Sequence, residues 1–376
     1  MKFTKTLFNR RVISLLPSAT DMICTIPNGK KMMVARSHEC NWPLDVQILP
    51  IVTGQKSNHE WTSAKDVDKN VSAMLANNES LYTINTNIIK SLKPDIILTQ
   101  DLCNVCAIDL PTVERLASTM TPSPQVISLN PNGIDDVLDN IHEIGLAVGL
   151  ENEANDVIRL LTKRIQNAMQ IAQECVQIQG ETKVMKIPTV GFVEWSDPIY
   201  VGGHWTPQLI HAASAQHLLN LPSSNSNSSS NSGSGSVIPK WSHAGKSFAV
   251  SNEDFAKSDP DFIIICPCGL NLQQAEREAW EMYTNTDEHF KNMRAVREGR
   301  VVIVDGDAMF NRPGPRVVDA LEFLVSLLHG MHHHTHTKDN SNSSNGNRGI
   351  DSCVMKAREL MPTDFPYKFI SFRENQ

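Results

Sequence analysis

Gly133-Ile134-Asp135-Asp136-Val137-Leu138-Asp139-Asn140-Ile141-His142-Glu143-Ile144 opens a stretch without proline that runs to about Gly180. Ile134, Val137, Leu138, Ile141 and Ile144 keep the three-and-four spacing of an amphipathic helix, and Val157, Ile158, Leu161, Ile165 and Ala168 resume it after Gly149. The second piece, about Asn152 to Gln179, would reach roughly 40 Å at ~1.5 Å per residue. It either joins two lobes or packs on one sheet, and its flanks bear on the choice.

On both sides lie short apolar runs that stop at polar or cysteine-containing turns. Before the helices they are Val12–Leu16, Lys31–Ala35, Asp95–Thr99 and Gln125–Leu129; after them, Thr189–Val193, Asp261–Ile265 and Arg300–Val304. Strand-like runs alternating with helical stretches argue for parallel sheets with helical crossovers. The expected fold is α/β: two Rossmann-like lobes with mainly parallel sheets, joined by a long helix, with a cleft between them. The chain divides into an N-terminal lobe over 11–132, linking helices over 133–182 and a C-terminal lobe over 183–330. A Ser/Asn/Gly insert at 223–236, a His/Asn/Ser-rich spacer at 331–349 and an extension over 350–376 complete it. The insert and spacer have too little apolar surface to fold. His329, His332, His333, His334 and His336 read as part of a polar spacer, with loose metal binding as the alternative. The closing Tyr367–Phe372 reads as an extended segment packed back on the body.

With 376 residues, 40% hydrophobic and 20% charged, the composition is that of an ordinary folded protein. The net charge of -7 and the lack of any basic stripe exclude nucleic acid as the main partner. No apolar run approaches the ~20 residues of a transmembrane helix. Met1–Arg11 is basic but lacks an apolar segment with a small-residue cleavage site, so a cytoplasmic location is expected, with a short mitochondrial presequence as the alternative. Eight cysteines are too few for a disulfide scaffold and are read as thiols in a reducing compartment. Neither a phosphate-binding G-x-x-x-x-G-K-[ST] loop nor a G-x-S-x-G elbow is present.

In open parallel sheets ligands bind beyond the carboxyl ends of the strands. Those ends are Pro17-Ser18-Ala19-Thr20-Asp21, Arg36-Ser37-His38-Glu39-Cys40-Asn41 and Gln100-Asp101-Leu102-Cys103-Asn104-Val105-Cys106, then Glu194-Trp195-Ser196, Cys266-Pro267-Cys268 and Asp305 through Arg316. If the strand order gathers them, His38, Cys40, Cys103, Cys106, Cys266 and Cys268 meet in the cleft as candidate metal ligands. Cys103 and Cys106 have the spacing of a metal knuckle or redox pair, without the second pair of a zinc ribbon. Arg312 is a candidate for an anionic ligand group and Arg316 for a structural pair. Trp195, Trp205 and Trp241 suit a large flat ligand, with core packing as the default for any tryptophan.

Several pieces in order resemble a known family. They are Arg11-Val12-Ile13-Ser14-Leu15-Leu16-Pro17-Ser18-Ala19-Thr20-Asp21, Ser91–Leu98, Trp205–Ile210, Phe255–Ile265 and Arg297–Asp305. The family is that of cobalamin-type and iron-siderophore-type periplasmic binding proteins, two α/β lobes joined by one long helix. Ser37-His38-Glu39-Cys40 and Asp101–Cys106 look like its cobalamin-binding subgroup. The resemblance implies a corrinoid held between the lobes, with Ser18, Ala19, Trp195, Trp241, Phe310 and Arg312 at the ring-contacting positions; Arg36 and His38 join the candidate set. The leading expectation is a cytosolic carrier or binding protein for a small-molecule corrinoid such as cobalamin or a related tetrapyrrole, with His38 or a thiolate on the central metal. The rival is a zinc or iron enzyme built on the Cys/His set. No pattern points to a protein partner.

Overall fold

Val12, Ile13, Ile96, Ile97 and Leu98 are all fully buried, and they form the centre of a four-stranded parallel sheet. Strands covered on both faces read as unbroken apolar runs, which is why they stand out in the sequence. The computed structural model describes residues 10–56, 63–77, 80–101, 108–182, 187–221, 245–285, 288–331 and 347–372. The chain divides into two compact units: Met1–Leu160 with Arg312–Pro315, and Leu161–Asn311 with Arg316–Gln376.

The first unit follows the order β1 (Val12–Ser14), α1 (Pro17–Thr25), β2 (Met33–Ala35), β3 (Thr53–Gln55), α2 (Ala64–Ala76), β4 (Tyr82–Ile84), α3 (Thr86–Leu92), β5 (Ile96–Thr99), α4 (Leu110–Ser118), β6 (Gln125–Ser128) and α5 (Ile134–Val148). Its sheet has the order β2-β1-β5-β6, all parallel, with Val12 opposite both Met33 and Ile96. One face is filled by Ile13, Leu15, Val52, Ile89 and Val113. β3 and β4 form a separate antiparallel pair, which the apolar pattern does not announce because each strand is three residues long.

Helix α5 starts where Asp136 accepts hydrogen bonds from the N–H groups of Asn132 and Gly133. It ends at Gly149, whose φ of 77° suits a residue without a Cβ. Helix α6 (Glu151–Thr182) follows at once, and a Cβ at Gly145 would lie 2.3 Å from that of Ala154. The long helix expected from the spacing is therefore present; at 32 residues it extends about 48 Å. Its residues to Leu160 pack with the first unit and those from Leu161 with the second.

The second unit continues with β7 (Val190–Ser196), β8 (Ile199–Val201), α7 (Trp205–Ala212), β9 (Phe248–Val250), α8 (Asn252–Lys257), β10 (Phe262–Ile265), α9 (Leu272–Asn285), α10 (Glu288–Asn292), α11 (Arg294–Arg297), β11 (Val301–Val304), α12 (Val317–Val325), a π-helical turn over Ser326–Met331, α13 (Asn347–Glu359) and β12 (Tyr367–Ile370). The sheet order is β12-β11-β10-β7-β8-β9. β7, β10 and β11 are parallel; β12 pairs antiparallel with β11, β8 antiparallel with β7, and β9 antiparallel with β8. The C-terminal segment does pack back, as strand β12, and Phe372 stacks on Tyr283 with ring centroids 4.4 Å apart. Arg164 of α6 is forked onto Asp319 (2.5 Å) and Glu322 (2.5 and 2.9 Å) of α12. Those carboxylates hold its guanidinium above its already high ordinary pKa.

Three expectations are corrected. Cys175 of α6 and Cys353 of α13 are joined in a disulfide, 178 residues apart in sequence, so the eight cysteines are not all thiols. Nothing local in the sequence reveals that these two helices meet. Because disulfides persist in oxidising surroundings, the case for a reducing compartment loses that support. Next, His329 does not belong to a polar spacer: it is fully buried in the π-helical turn, where Nε2 lies 2.7 Å from the Ala213 carbonyl. His332 to His336, like the insert at 223–236, fall outside the described residues. Finally, Pro17–Asp21 is no turn but the start of α1, with Pro17 at its first turn and Leu16 as an extended N-cap. Among the described residues no helix is long and apolar enough to cross a membrane.

Candidate functional site

The end of β2 carries a cluster of mutually bonded polar groups. Arg36 is buried, its Nη1 donating to the Ser37 carbonyl and its Nη2 to that of Gln47, both at 3.0 Å. Its Nε is buried without a hydrogen-bond partner. Beyond it the chain turns, Cys40 N–H donating to the Ser37 carbonyl. Thr53, at the start of β3, fixes this turn by three contacts. Its hydroxyl donates to Ser37 Oγ (2.9 Å), accepts from the His38 backbone N–H (3.0 Å), and lies 2.7 Å from His38 Nδ1.

A threonine hydroxyl has one hydrogen to give. With that hydrogen on Ser37, the contact to His38 requires a proton on Nδ1, which leaves the lone pair on Nε2. Nε2 is buried and makes no hydrogen bond; Glu39 Oε1 stands 3.9 Å away. Burial, and secondarily the Arg36 charge, hold the His38 pKa below its ordinary value. The ring is thus a neutral imidazole with an oriented, unpartnered nitrogen, the form in which histidine binds metals. Tyr82 of β4 lies beside it, with ring centroids 5.9 Å apart and its hydroxyl donating to Glu39 Oε1 at 3.4 Å. Thr53 also lines an open groove of about 380 Å³ with Thr83 to Asn87. Sequence reading missed Thr53 and Tyr82: Tyr82–Ile84 is β-prone but three residues long, and Thr53–Gln55 carries no such signal.

Other candidates in this unit are more enclosed. Ala19 is fully buried and Ser18 nearly so. Cys40 is 1% exposed, with Sγ 3.0 Å from Thr20 Oγ1; burial pushes its thiol up to about 11. Arg312 packs with this unit and is 5% exposed; Nη1 donates to Asn41 Oδ1 (2.7 Å) and Nη2 to the Glu39 carbonyl (3.3 Å). Cys103 and Cys106 lie outside the described residues.

In the second unit β7 runs on through Glu194 to Ser196, so the expected strand end lies inside the strand. Trp195 is half-buried, and its indole N–H is buried without a partner. Ser196 donates to the buried carboxylate of Glu278. Phe310 is fully buried, 5.0 Å from Phe192 and 6.3 Å from both Phe323 and Phe365 between ring centroids. Its carbonyl accepts from Trp205 Nε1 at 2.6 Å, which makes that tryptophan a core anchor. Cys266 is fully buried under Asn311, whose Nδ2 donates to its carbonyl and contacts its sulfur. Burial raises its thiol pKa well above the ordinary value. Cys268, two residues on, is exposed, and Trp241 lies outside the described residues. Among the described residues no three His, Cys, Asp or Glu side chains gather as a metal site.

Two α/β units and a long helix that runs from one into the other define the two-lobe class of α/β folds. The chain matches the periplasmic binding protein family over residues 40–308 and belongs to that family. Solved structures share the fold. A periplasmic heme binding protein from Pseudomonas aeruginosa is 17% identical with a TM-score of 0.58, covering 84% of this chain and 91% of its own. The periplasmic vitamin B12 binding protein of Vibrio cholerae is 18% identical with a TM-score of 0.52, covering 85% and 96%. A periplasmic solute-binding protein from Staphylococcus epidermidis is 20% identical with a TM-score of 0.55, covering 85% and 98%. No curated protein matches the chain.

Proposed function

We propose that this protein binds a tetrapyrrole-type metal chelate, cobalamin first among them, and that His38 Nε2 meets the central metal. The observation that carries the reading is the His38 imidazole itself: neutral, oriented through Nδ1 by Thr53, with a buried nitrogen that no described group satisfies. Buried polar atoms are ordinarily paired, so an orphan of this kind points to a missing partner. Imidazole suits iron and cobalt centres, and a ring nitrogen held by its opposite N–H is the usual form of such a ligand. The likeness in fold to heme and vitamin B12 binding proteins supports the ligand class. The role is that of a carrier or binding protein.

Absorbance titration of the purified protein with hydroxocobalamin, and separately with hemin, tests this. The expected result is a saturable spectral shift near one equivalent of hydroxocobalamin. His38→Ala is expected to abolish that shift and weaken binding by about 100-fold, the upper range for losing a metal ligand's support. A His38→Ala protein with unchanged spectrum and affinity would remove His38 from the site. Saturable binding of hemin alone would keep the class and replace cobalamin with heme.

A further inference from the structure

We propose that Arg312 is a positioning residue: it holds the Ser37–Asn41 segment so that His38 keeps its Nε2 in one direction. This rests on the reading of His38 as the chelate's ligand, although its geometry stands without any chelate.

Residues Arg312–Pro315 pack with the first unit, while the chain before and after them belongs to the second. The strap is short and stiff. Gly314 N–H donates to the Arg312 carbonyl at 2.7 Å, closing a tight turn around Pro313, and Gly314 lies against Ser18 and Asp21 of α1. From this base the guanidinium reaches Asn41 Oδ1 and the Glu39 carbonyl, one acceptor on each side of Cys40. The segment is thereby held at three places: Ser37 and His38 by Thr53, Cys40 by Thr20, and Glu39 with Asn41 by Arg312. Thr53 and Thr20 come from within about 20 residues of the segment, whereas Arg312 lies more than 270 residues away. A planar fork fixes two acceptors at once, which a point charge cannot do. Arg312 thus secures the far end of the turn that carries the histidine, and its two named bonds go to the protein.

The first arm of the test uses ligand-free protein. At one fixed pH the His38 ring nitrogen shifts, which report the tautomer, and the exchange rates of the Ser37–Asn41 backbone amides are followed by NMR in the wild type, Arg312→Gln, Arg312→Lys and Asn41→Ala. In Arg312→Gln the ring shifts are expected to move toward a mixture of tautomers and the amides to exchange about tenfold faster, because the segment has lost its far anchor; Arg312→Lys, able to reach one acceptor, falls between. Asn41→Ala, at an exposed residue, moves both the same way by less and serves if Arg312→Gln fails to fold.

The second arm is titration with hydroxocobalamin and hemin. Arg312→Gln is expected to bind about tenfold more weakly, as for loss of a hydrogen bond to a charged group, with the saturated spectrum unchanged. Wild-type ring shifts, wild-type amide exchange and wild-type affinity in both Arg312→Gln and Asn41→Ala overturn the proposal. So does a saturated Arg312→Gln spectrum altered as in His38→Ala, which makes Arg312 a direct ligand contact. If the wild type binds neither chelate, the functional reading falls, and the NMR arm still decides the role of Arg312.

Discussion

The segment after β2 and the segment after β11 are both strand ends rich in residues that suggest a ligand, and the fold uses them differently. Around Ser37–Asn41 polar groups hold one another and leave an imidazole nitrogen over. Around Met309–Asn311, Phe310 is sealed among aromatic rings and its carbonyl and the Asn311 amide are engaged with Trp205, Cys266 and Gly306. Position at a strand end is therefore not enough to make a site. What marks one is a polar atom that the fold orients and does not satisfy.

If this distinction holds, substitutions within Met309–Asn311 cost stability and those within Ser37–Asn41 cost binding. The largest effect is expected for Phe310→Ala, about 4 kcal/mol of unfolding free energy in a denaturant titration, as for emptying a buried aromatic site. Near-native stability with lost chelate binding would break the comparison.

Next comes His217, the second unit's counterpart to His38. It is 1% exposed, neither ring nitrogen has a hydrogen-bond partner, and burial pulls its pKa down to about 4. Above the ordinary value of 6.5 both folded and unfolded chains leave it neutral, and it adds no pH dependence. Between 6.5 and about 4 the unfolded chain takes up a proton that the native one refuses, so stability falls as pH drops through that window. The loss is at most about 3 kcal/mol. His217→Leu should flatten this limb of the stability profile; an identical slope in the variant would show that His217 has a partner in solution.

The smallest effect, on the order of tenfold in chelate affinity, is expected for Thr53→Val, which removes the acceptor of Nδ1–H. Its melting temperature should fall by only a few degrees, because the His38 N–H and Ser37 Oγ also lose this partner. A large fall in stability without a change in affinity would mean that the hairpin, and not the histidine, depends on Thr53.

The parallel strands of both units were legible because residues such as Ile96–Leu98 and Ile263–Ile265 are buried on both faces and leave an unbroken apolar signature. The break at Gly149 was legible from the residue alone. His38 could be singled out by its place after a strand. Its tautomer could not, since that depends on Thr53, from a strand too short to leave a pattern. Nor could the burial of Ala19 and Phe310, because residues of those types serve cores and pockets equally well.

The amino-acid sequence by itself determined the two α/β units and the long helix, since these follow from periodicity and order along the chain, which local burial writes into every few residues; the family followed from the resemblance of pieces such as Arg11–Asp21 and Arg297–Asp305. Only the tertiary structure decided that Cys175 meets Cys353, that Arg312 grips Glu39 and Asn41, and that one nitrogen of His38 is left over. Each depends on groups that are distant in sequence, or on the direction of a single hydroxyl hydrogen, and neither leaves a periodic trace.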